Sequence, residues 1–125
     1  MNPFASQKDT AVKYVLPQEL AQKLDCNDPV FLLDVRAPGE LQGELGHLRH
    51  VVNIPLPQLK DRLSELAGQE DRDVVVICRT GRRSEEAARI LLDSGFKRIQ
   101  VLKGGMLAWR SNLATQLLSQ AHILR

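Results

Sequence analysis

The sequence predicts an α/β domain of three layers, with a mostly parallel sheet between helices. Two segments, "VFLLDV" at 30–35 and "DVVVIC" at 73–78, are almost continuously apolar, which is typical of strands covered on both faces. Segments with helical spacing alternate with these strands along the chain. The length of 125 residues fits one domain with a single substantial core.

The first half of the chain contains three candidate strands and one candidate helix. The segment "VKYVL" at 12–16 predicts a short strand, and Pro17 suits the first turn of a helix that extends to Leu24. The strand "VFLLDV" comes next. Turn-forming and charged residues dominate 36–50, which predicts a loop, and "VVNIP" at 51–55 predicts a short strand ended by its proline.

The second half continues the alternation. The segment "DVVVIC" is the strongest strand, because β-branched residues dominate it. Ser84 is the predicted N-cap of the following helix, and Gly95 is its predicted C′ residue. The segment "IQVL" at 99–102 predicts the last strand, and "GGMLAWR" at 104–110 begins another helix.

Regularly spaced apolar residues predict two further helices. Leu59, Leu63 and Leu66 lie at helical spacing among charged residues, which predicts an amphipathic helix ending near Gly68. In the tail, a similar set predicts a closing helix over 111–125, and its members are Leu113, Leu117, Leu118, Ala121 and Leu124. We therefore expect a single domain over 1–125, with its core at about 12–110.

Composition and charge exclude several classes of protein. The 17 basic and 15 acidic residues are spread along the chain, so the sequence lacks the basic tail that tracks nucleic acid phosphates. The longest uncharged apolar run, at 74–78, is too short to cross a bilayer, and the first residues lack a leader's apolar region. Cys26 and Cys78 form no metal-binding pattern. We expect a cytoplasmic protein without a nucleic acid, membrane or structural zinc partner.

The segment "CRTGRRS" at 78–84 joins the strongest strand to a helix, and it is the candidate active site. Gly81 permits a tight turn, so the backbone N–H groups between strand and helix can point inward and form an anion-binding loop. The positive end of the helix and the nearby guanidinium groups favour the thiolate form of Cys78. The cysteine is therefore a candidate nucleophile that needs no histidine base.

Two chemistries fit a thiolate in such a loop: attack on a phosphate or arsenate, and uptake of sulfane sulfur as a persulfide. Loop length distinguishes them. A cysteine phosphatase loop has its arginine six residues after the cysteine, whereas here Ser84 holds that position and Arg83 comes one residue earlier. The shorter ring suits a single sulfur atom better than a phosphoryl group.

Six motifs in the same order and spacing resemble the single-domain rhodaneses, which are sulfurtransferases. The motifs cover most of the chain outside its two ends. They are "LLDVR" at 32–36, Glu40, "GHL" at 46–48, "NIP" at 53–55, "CRTGRRS" at 78–84 and "KGGMLAW" at 103–109.

The resemblance implies a five-stranded parallel sheet with helices on both faces and a sulfur-carrying Cys78. It implies ping-pong transfer, in which Cys78 takes the outer sulfur of thiosulfate and passes it to cyanide or a thiol. The substrate-binding residues would be those of the loop, with their backbone N–H groups holding the persulfide. They are Arg79, Thr80, Gly81, Arg82, Arg83 and Ser84. No metal or organic cofactor is implied.

The candidate residues divide into binding residues and supporting ones. We expect at least one loop arginine to contact the anionic donor, most favourably Arg79 or Arg83, although arginine runs are usually solvated surface charge. Asp34 and Arg36 are interpreted as a structural pair, and His47 as a turn residue rather than a base. Cys26 has no basic neighbours or helix start after it, so it is interpreted as an incidental thiol.

Two alternatives stay open at this point. The chain could be a sulfur-carrier or binding module whose physiological partner is another protein, with thiosulfate turnover incidental. A phosphatase or arsenate reductase of the same fold is disfavoured by loop length. A persulfide that passes only to one protein would favour the carrier, and phosphatase activity without sulfur transfer would overturn the loop-length argument.

Overall fold

A five-stranded parallel sheet forms the centre of the molecule. The computed structural model describes residues 12–112 and 122–124. The strands of the sheet are β1 Lys13–Val15, β2 Val30–Asp34, β4 Val52–Asn53, β5 Asp73–Ile77 and β6 Arg98–Leu102. They lie in the order β1-β6-β5-β2-β4, and each pairs in parallel with its neighbours. Because the strands are parallel, their last residues meet at one edge of the sheet, which we call the carboxyl edge.

Helices cover both faces of this sheet. The helices are α1 Pro17–Asp25, α2 Pro38–Leu41, α3 Arg82–Asp93 and α4 Gly105–Ser111. Helices α1 and α4 pack on one face, and α3 packs on the other with two 3₁₀ segments. Alternate residues of β5 point to opposite faces, so Val74 and Val76 contact the α3 side while Val75 and Ile77 contact the α1 side. The predicted three-layer α/β class is confirmed.

The segment 36–50 is more ordered than the predicted loop. It contains the short helix α2 and strand β3 (His47–Leu48). Pro38 begins α2, and the Glu40 carboxylate accepts a hydrogen bond from the Ala37 N–H at 2.9 Å. Local capping therefore stabilises one helical turn in a segment that is otherwise rich in turn formers.

The helix predicted from the leucine spacing is a 3₁₀ helix in two parts, Leu56–Gln58 and Lys60–Leu66. Its hydrogen bonds join residues three apart, as from the Leu59 N–H to the Leu56 carbonyl at 3.1 Å. A three-residue spacing places leucines on one side of either helix type. The leucine pattern therefore predicted the buried side correctly and the helix type wrongly.

Two predictions about helix ends need correction. Helix α3 begins at Arg82, because Gly81 at φ 115° turns the chain directly into the helix, so Ser84 is not its N-cap. Within the predicted closing helix, Ile123–Leu124 instead form strand β7, because their backbone groups pair antiparallel with those of β3. Residues 113–121 and 125 of that prediction lie outside the described residues.

None of the helices in 12–112 is long and apolar enough to cross a membrane.

A buried ion pair between Asp34 and Arg36 holds the carboxyl edge together. The two side chains are 0% and 1% exposed, and the Arg36 guanidinium donates to Asp34 Oδ2 at 2.8 Å. Arg36 also donates to the Gly46 carbonyl at 2.8 Å. The Asn53 side-chain amide donates to the carbonyls of Asp34 and Arg36, at 2.9 Å each. The pair thus connects β2, the turn before β3, and β4.

Replacing Arg36 with methionine should lower the free energy of unfolding by about 3–5 kcal/mol, because it leaves the Asp34 carboxylate buried without its counter-ion. Urea denaturation would measure this loss. The matched control is Arg62→Met, which removes a solvent-exposed pair with Glu65 and should cost far less, because water screens such a pair. Equal small losses in both variants would contradict the role of the buried pair.

Candidate active site

Cys78 lies at the carboxyl edge, directly after β5, in a loop that leads into α3. Its side chain is buried, with 1% exposed, and the Gly81 N–H donates to Sγ at 2.9 Å. The Ser84 N–H donates to the same sulfur at 3.4 Å. Both donors come from the loop and the first turn of α3, where the helix dipole is positive. The arrangement stabilises negative charge on Sγ.

Gly81 makes this loop geometry possible. Its backbone has φ 115°, in the left-handed region that residues with a side chain rarely adopt. This conformation turns the Gly81 N–H toward Sγ and starts α3 at the next residue. The sequence therefore identified the position that controls the loop.

The start of α4 holds the backbone of the loop from the other side. The N–H groups of Met106 and Leu107 donate to the carbonyls of Cys78 and Arg79, at 2.8 and 3.0 Å. A Cβ atom on Gly105 would lie 2.4 Å from the Arg79 carbonyl carbon and oxygen, closer than real Cβ contacts. Only glycine at position 105 allows α4 to approach this closely.

The three loop arginines have different environments. Arg83 donates to both carboxylate oxygens of Glu40, at 2.8 and 3.1 Å. This bond lowers the pKa of the Glu40 carboxyl to about 2, and Glu40 in turn raises the pKa of Arg83. Arg79 and Arg82 are exposed, and neither has an ion-pair partner among residues 12–112 and 122–124.

Thr80 and Arg82 lie on the solvent side of the loop. With Arg83 and Glu86 they line an open hollow of about 410 Å³. Ser84, in contrast, is fully buried, and its Oγ has no hydrogen-bond partner within the described part of the chain. The loop therefore has exposed arginines on its outer side, while N–H groups face Sγ and the Ser84 hydroxyl is buried.

The predicted supporting residues lie around the loop rather than in it. Asp34 and Arg36 form the buried ion pair at the carboxyl edge. His47 donates from Nδ1 to the Leu41 carbonyl at 2.9 Å, which positions the turn after α2. These contacts hold neighbouring segments in place, while the hydrogen bonds to Sγ come from the loop's own backbone.

Cys26 lies far from Cys78 in the fold. It is exposed and follows the last residue of α1, which runs away from the carboxyl edge after β1. The two thiols are therefore at opposite ends of the sheet. Within the residues that the structure describes, no group of three His, Cys, Asp or Glu side chains could hold a metal ion.

Residues 16–112 match the family model described as a rhodanese-like domain. The chain belongs to the rhodanese-like domain family. The rhodanese-related protein of Thermoplasma volcanium is a structural neighbour, with a TM-score of 0.68 and 28% identity. The match covers 78% of this chain and 90% of that one. The predicted family is therefore confirmed.

Two relatives of this rhodanese-like chain have names that refer to sulfur. A protein of Allochromatium vinosum named Sulfurtransferase is 36% identical over 92 residues, which are 74% of this chain and 82% of that protein. The putative sulfur carrier protein YrkF of Bacillus subtilis is 34% identical over 105 residues, covering 84% of this chain and 55% of that protein. The chain thus spans about half of the second relative. Together with the family match, these names support a sulfurtransferase or sulfur-carrier role.

Sequence reasoning missed two features of this rhodanese-like site. The Glu40–Arg83 ion pair joins residues far apart in the chain, so no local pattern indicates it. The close approach at Gly105 did have a signal, because two adjacent glycines at the start of a helix often mark tight backbone contact.

Gly105→Ala should destabilise the protein by about 2 kcal/mol or more, since the new methyl group overlaps the Arg79 carbonyl and the residue has a positive φ. It should also change the rate at which iodoacetamide alkylates Cys78, measured in a Cys26→Ser background. The control is Gly39→Ala, where a Cβ meets nothing within 4 Å and little change is expected. Similar behaviour of the two variants would mean that α4 does not fix the loop.

Proposed function

We propose that the chain transfers sulfane sulfur from thiosulfate or a similar donor to a thiophilic acceptor through a persulfide on Cys78. The observation that supports this most directly is the pair of N–H groups, from Gly81 and Ser84, at 2.9 and 3.4 Å from Sγ. Backbone donors in a buried loop stabilise a sulfur anion without a partner base. The same donors would stabilise first the attacking thiolate and then the persulfide that replaces it.

In the first half-reaction, the Cys78 thiolate attacks the outer sulfur of thiosulfate. A bond forms between the two sulfurs, the S–S bond of thiosulfate breaks, and sulfite leaves with the electron pair. The product is a persulfide anion on Cys78, so charge is conserved. The proposed cycle uses only the loop and the two substrates, and it therefore calls for no metal or organic cofactor.

In the second half-reaction, cyanide or a thiolate attacks the outer sulfur of the persulfide, and the Cys78 thiolate leaves. The acceptor is then thiocyanate or a new persulfide. A protein thiol could serve in the same way. The cytoplasmic location expected from the sequence, where thiols are kept reduced, stays a prediction.

The Ser84 hydroxyl has a role in this proposal. Its Oγ is buried without a hydrogen-bond partner in the described structure, next in the chain to Arg83 and on the residue whose N–H contacts Sγ. A buried hydroxyl without a partner is costly. The outer sulfur of a persulfide would supply an acceptor for it, so the loaded enzyme would satisfy a group that the free enzyme does not.

Donor attraction is assigned to Arg79 and Arg82. Both are exposed on the loop, whereas Arg83 is engaged by Glu40. A dianion such as thiosulfate is drawn to uncompensated positive charge at the entrance of the loop. Arg83 would instead position the loop against α2.

A sulfur-carrier role is the second candidate, and the similarity to YrkF favours it. In that case Cys78 would still take up sulfur but would pass it only to a protein partner. The phosphatase alternative stays disfavoured by the loop length, because Ser84 and not an arginine lies six residues after Cys78, and an aryl phosphate assay tests it directly. Sulfur loading on Cys78 with no discharge to cyanide or small thiols would favour the carrier.

Incubation of the reduced protein with thiosulfate should add one sulfur atom to Cys78, and cyanide should then remove it as thiocyanate. Intact-protein mass spectrometry and a thiocyanate assay measure the two steps. Cys78→Ser should show neither, with the fold intact, because the two side chains are of similar size and only the sulfur nucleophile is lost. Cys26→Ser is the matched control and should behave as the wild type. Loading that persists in Cys78→Ser would contradict the assignment.

Arg79→Ala and Arg82→Ala should each raise the KM for thiosulfate about two- to fivefold, with little effect on a neutral organic polysulfide. Steady-state kinetics with both donors would measure this difference. Arg83→Ala, which breaks the ion pair with Glu40, should impair both donors alike. Equal losses with both donors in the Arg79 and Arg82 variants would mean that these charges maintain loop shape instead.

A further inference from the structure

The side chain of Glu40 reaches from α2 to the first turn of α3, where it binds the last arginine of the cysteine loop. Arg83 donates from its two Nη atoms to the two carboxylate oxygens, at 2.8 and 3.1 Å. The Ala37 N–H donates to the same carboxylate at 2.9 Å, at the start of α2. The carboxylate is therefore held by the backbone of its own helix, and it fixes the direction in which the Arg83 guanidinium points.

Arg83 lies within electrostatic reach of the sulfur. The next residue, Ser84, donates its N–H to Cys78 Sγ at 3.4 Å. The pKa of Arg83 is raised chiefly by its bond to Glu40, and negative charge on Cys78 raises it further. The partner that Arg83 binds therefore affects which anions the loop can hold.

The bond to Glu40 occupies the groups of Arg83 that would recognise an oxyanion. A guanidinium presents its N–H groups in a planar fork, which fits either a carboxylate or an oxyanion such as phosphate. The pKa of the Glu40 carboxyl is lowered to about 2, mainly by the bond from Arg83, so this carboxyl carries its charge at neutral pH. A phosphate ion at the loop must therefore displace a charged carboxylate before it can use the fork.

The other two loop arginines differ from Arg83 in this respect. Arg79 and Arg82 are exposed, and neither has an ion-pair partner within the described part of the chain. In the proposed function they attract the sulfonate end of thiosulfate, while only the outer sulfur approaches Sγ. A phosphate ion would instead have to bring its oxygens to Sγ, beside an arginine that is already occupied.

We propose that Glu40 is a specificity-determining residue, which binds Arg83 and thereby disfavours phosphate-like oxyanions at the cysteine loop. The inference rests on the proposed function, because it takes a single sulfur atom as the group that the loop carries. It adds to the loop length a second determinant, which comes from α2 and lies outside the loop. Removal of the carboxylate should free the Arg83 guanidinium and let the loop bind phosphate.

Protection of Cys78 from iodoacetamide measures phosphate binding at the sulfur. The protein carries Cys26→Ser, chloride keeps the ionic strength constant, and intact-protein mass spectrometry follows the alkylation rate. Glu40→Ala should lower the Kd for inorganic phosphate about five- to tenfold, because a charged donor becomes available to the ion. An unchanged Kd would overturn the inference.

A double-mutant cycle with Arg83→Ala identifies the cause of this effect. In the Arg83→Ala background, Glu40→Ala should leave the Kd for phosphate unchanged, because no guanidinium is left to be freed. The matched control is Glu86→Ala, which removes an exposed carboxylate from the open hollow on the outer side of the loop and leaves the Glu40–Arg83 pair intact. If the Kd falls equally in Glu86→Ala, or in Glu40→Ala without Arg83, net charge or a looser loop is responsible and the inference is wrong.

Glu40→Gln is a second variant for the case in which Glu40→Ala does not fold. Glutamine keeps an oxygen that can accept the hydrogen bond from the Ala37 N–H, but it lacks the charge that binds Arg83. It should lower the Kd for phosphate in the same direction, by about two- to fivefold. The same Kd in this variant as in the wild type would contradict the inference.

Sulfur loading of Cys78 from thiosulfate, measured separately by mass spectrometry, distinguishes this inference from the proposed function. Loading that proceeds while the Kd for phosphate is the same in all variants overturns only the role of Glu40. If the wild type takes up no sulfur but Glu40→Ala gains phosphate binding, the proposed function fails, while the control of Arg83 by Glu40 stands. If neither effect is observed, both fail.

Discussion

The buried ion pair between Asp34 and Arg36 is the constraint on which the carboxyl edge depends. Two charges removed from water are stable only when each is fully paired, so this pair fixes its surroundings. Arg36 holds the Gly46 carbonyl, and Asn53 bonds to the backbone carbonyls of both partners. The next residue, Val35, donates to the Ile77 carbonyl at 2.9 Å, directly before Cys78. The position of the sulfur therefore follows from a polar cluster that never contacts it.

The cysteine loop is held from three sides by backbone contacts. Strand β5 fixes its first residue, helix α3 begins at its last residues, and the N–H groups at the start of α4 bond to its carbonyls. Glycine is needed at two positions of this contact. Gly81 has a positive φ, and at Gly105 there is no space for a Cβ atom. The rigidity comes from the main chain, so the sulfur meets donors that are already oriented. In the proposed function, this rigidity is the physical basis for stabilising a sulfur anion without a histidine.

The sequence predicted the fold where one local pattern decides the structure. The apolar runs predicted β2 and β5, and Pro17 and Gly95 marked helix ends that the structure contains. The prediction from sequence failed where contacts between residues far apart in the chain decide the structure. The pairing of β7 with β3, and of Glu40 with Arg83, joins segments that no local pattern connects. The prediction of Ser84 as N-cap was wrong, because α3 begins after a glycine in the left-handed conformation and not after a capping side chain.

The donors to Sγ are main-chain groups, so the hydrogen bonds to the sulfur do not depend on which side chains the loop carries. The side chains of Arg79, Thr80 and Arg82 face solvent, while Sγ accepts hydrogen bonds from N–H groups that every residue except proline supplies. Under the proposed function, mutation at these three positions would change which molecules are recruited while Cys78 keeps its hydrogen-bond donors. In evolutionary terms, the loop would then be a fixed main-chain site with a variable exterior, on which new donor and acceptor preferences arise by single substitutions.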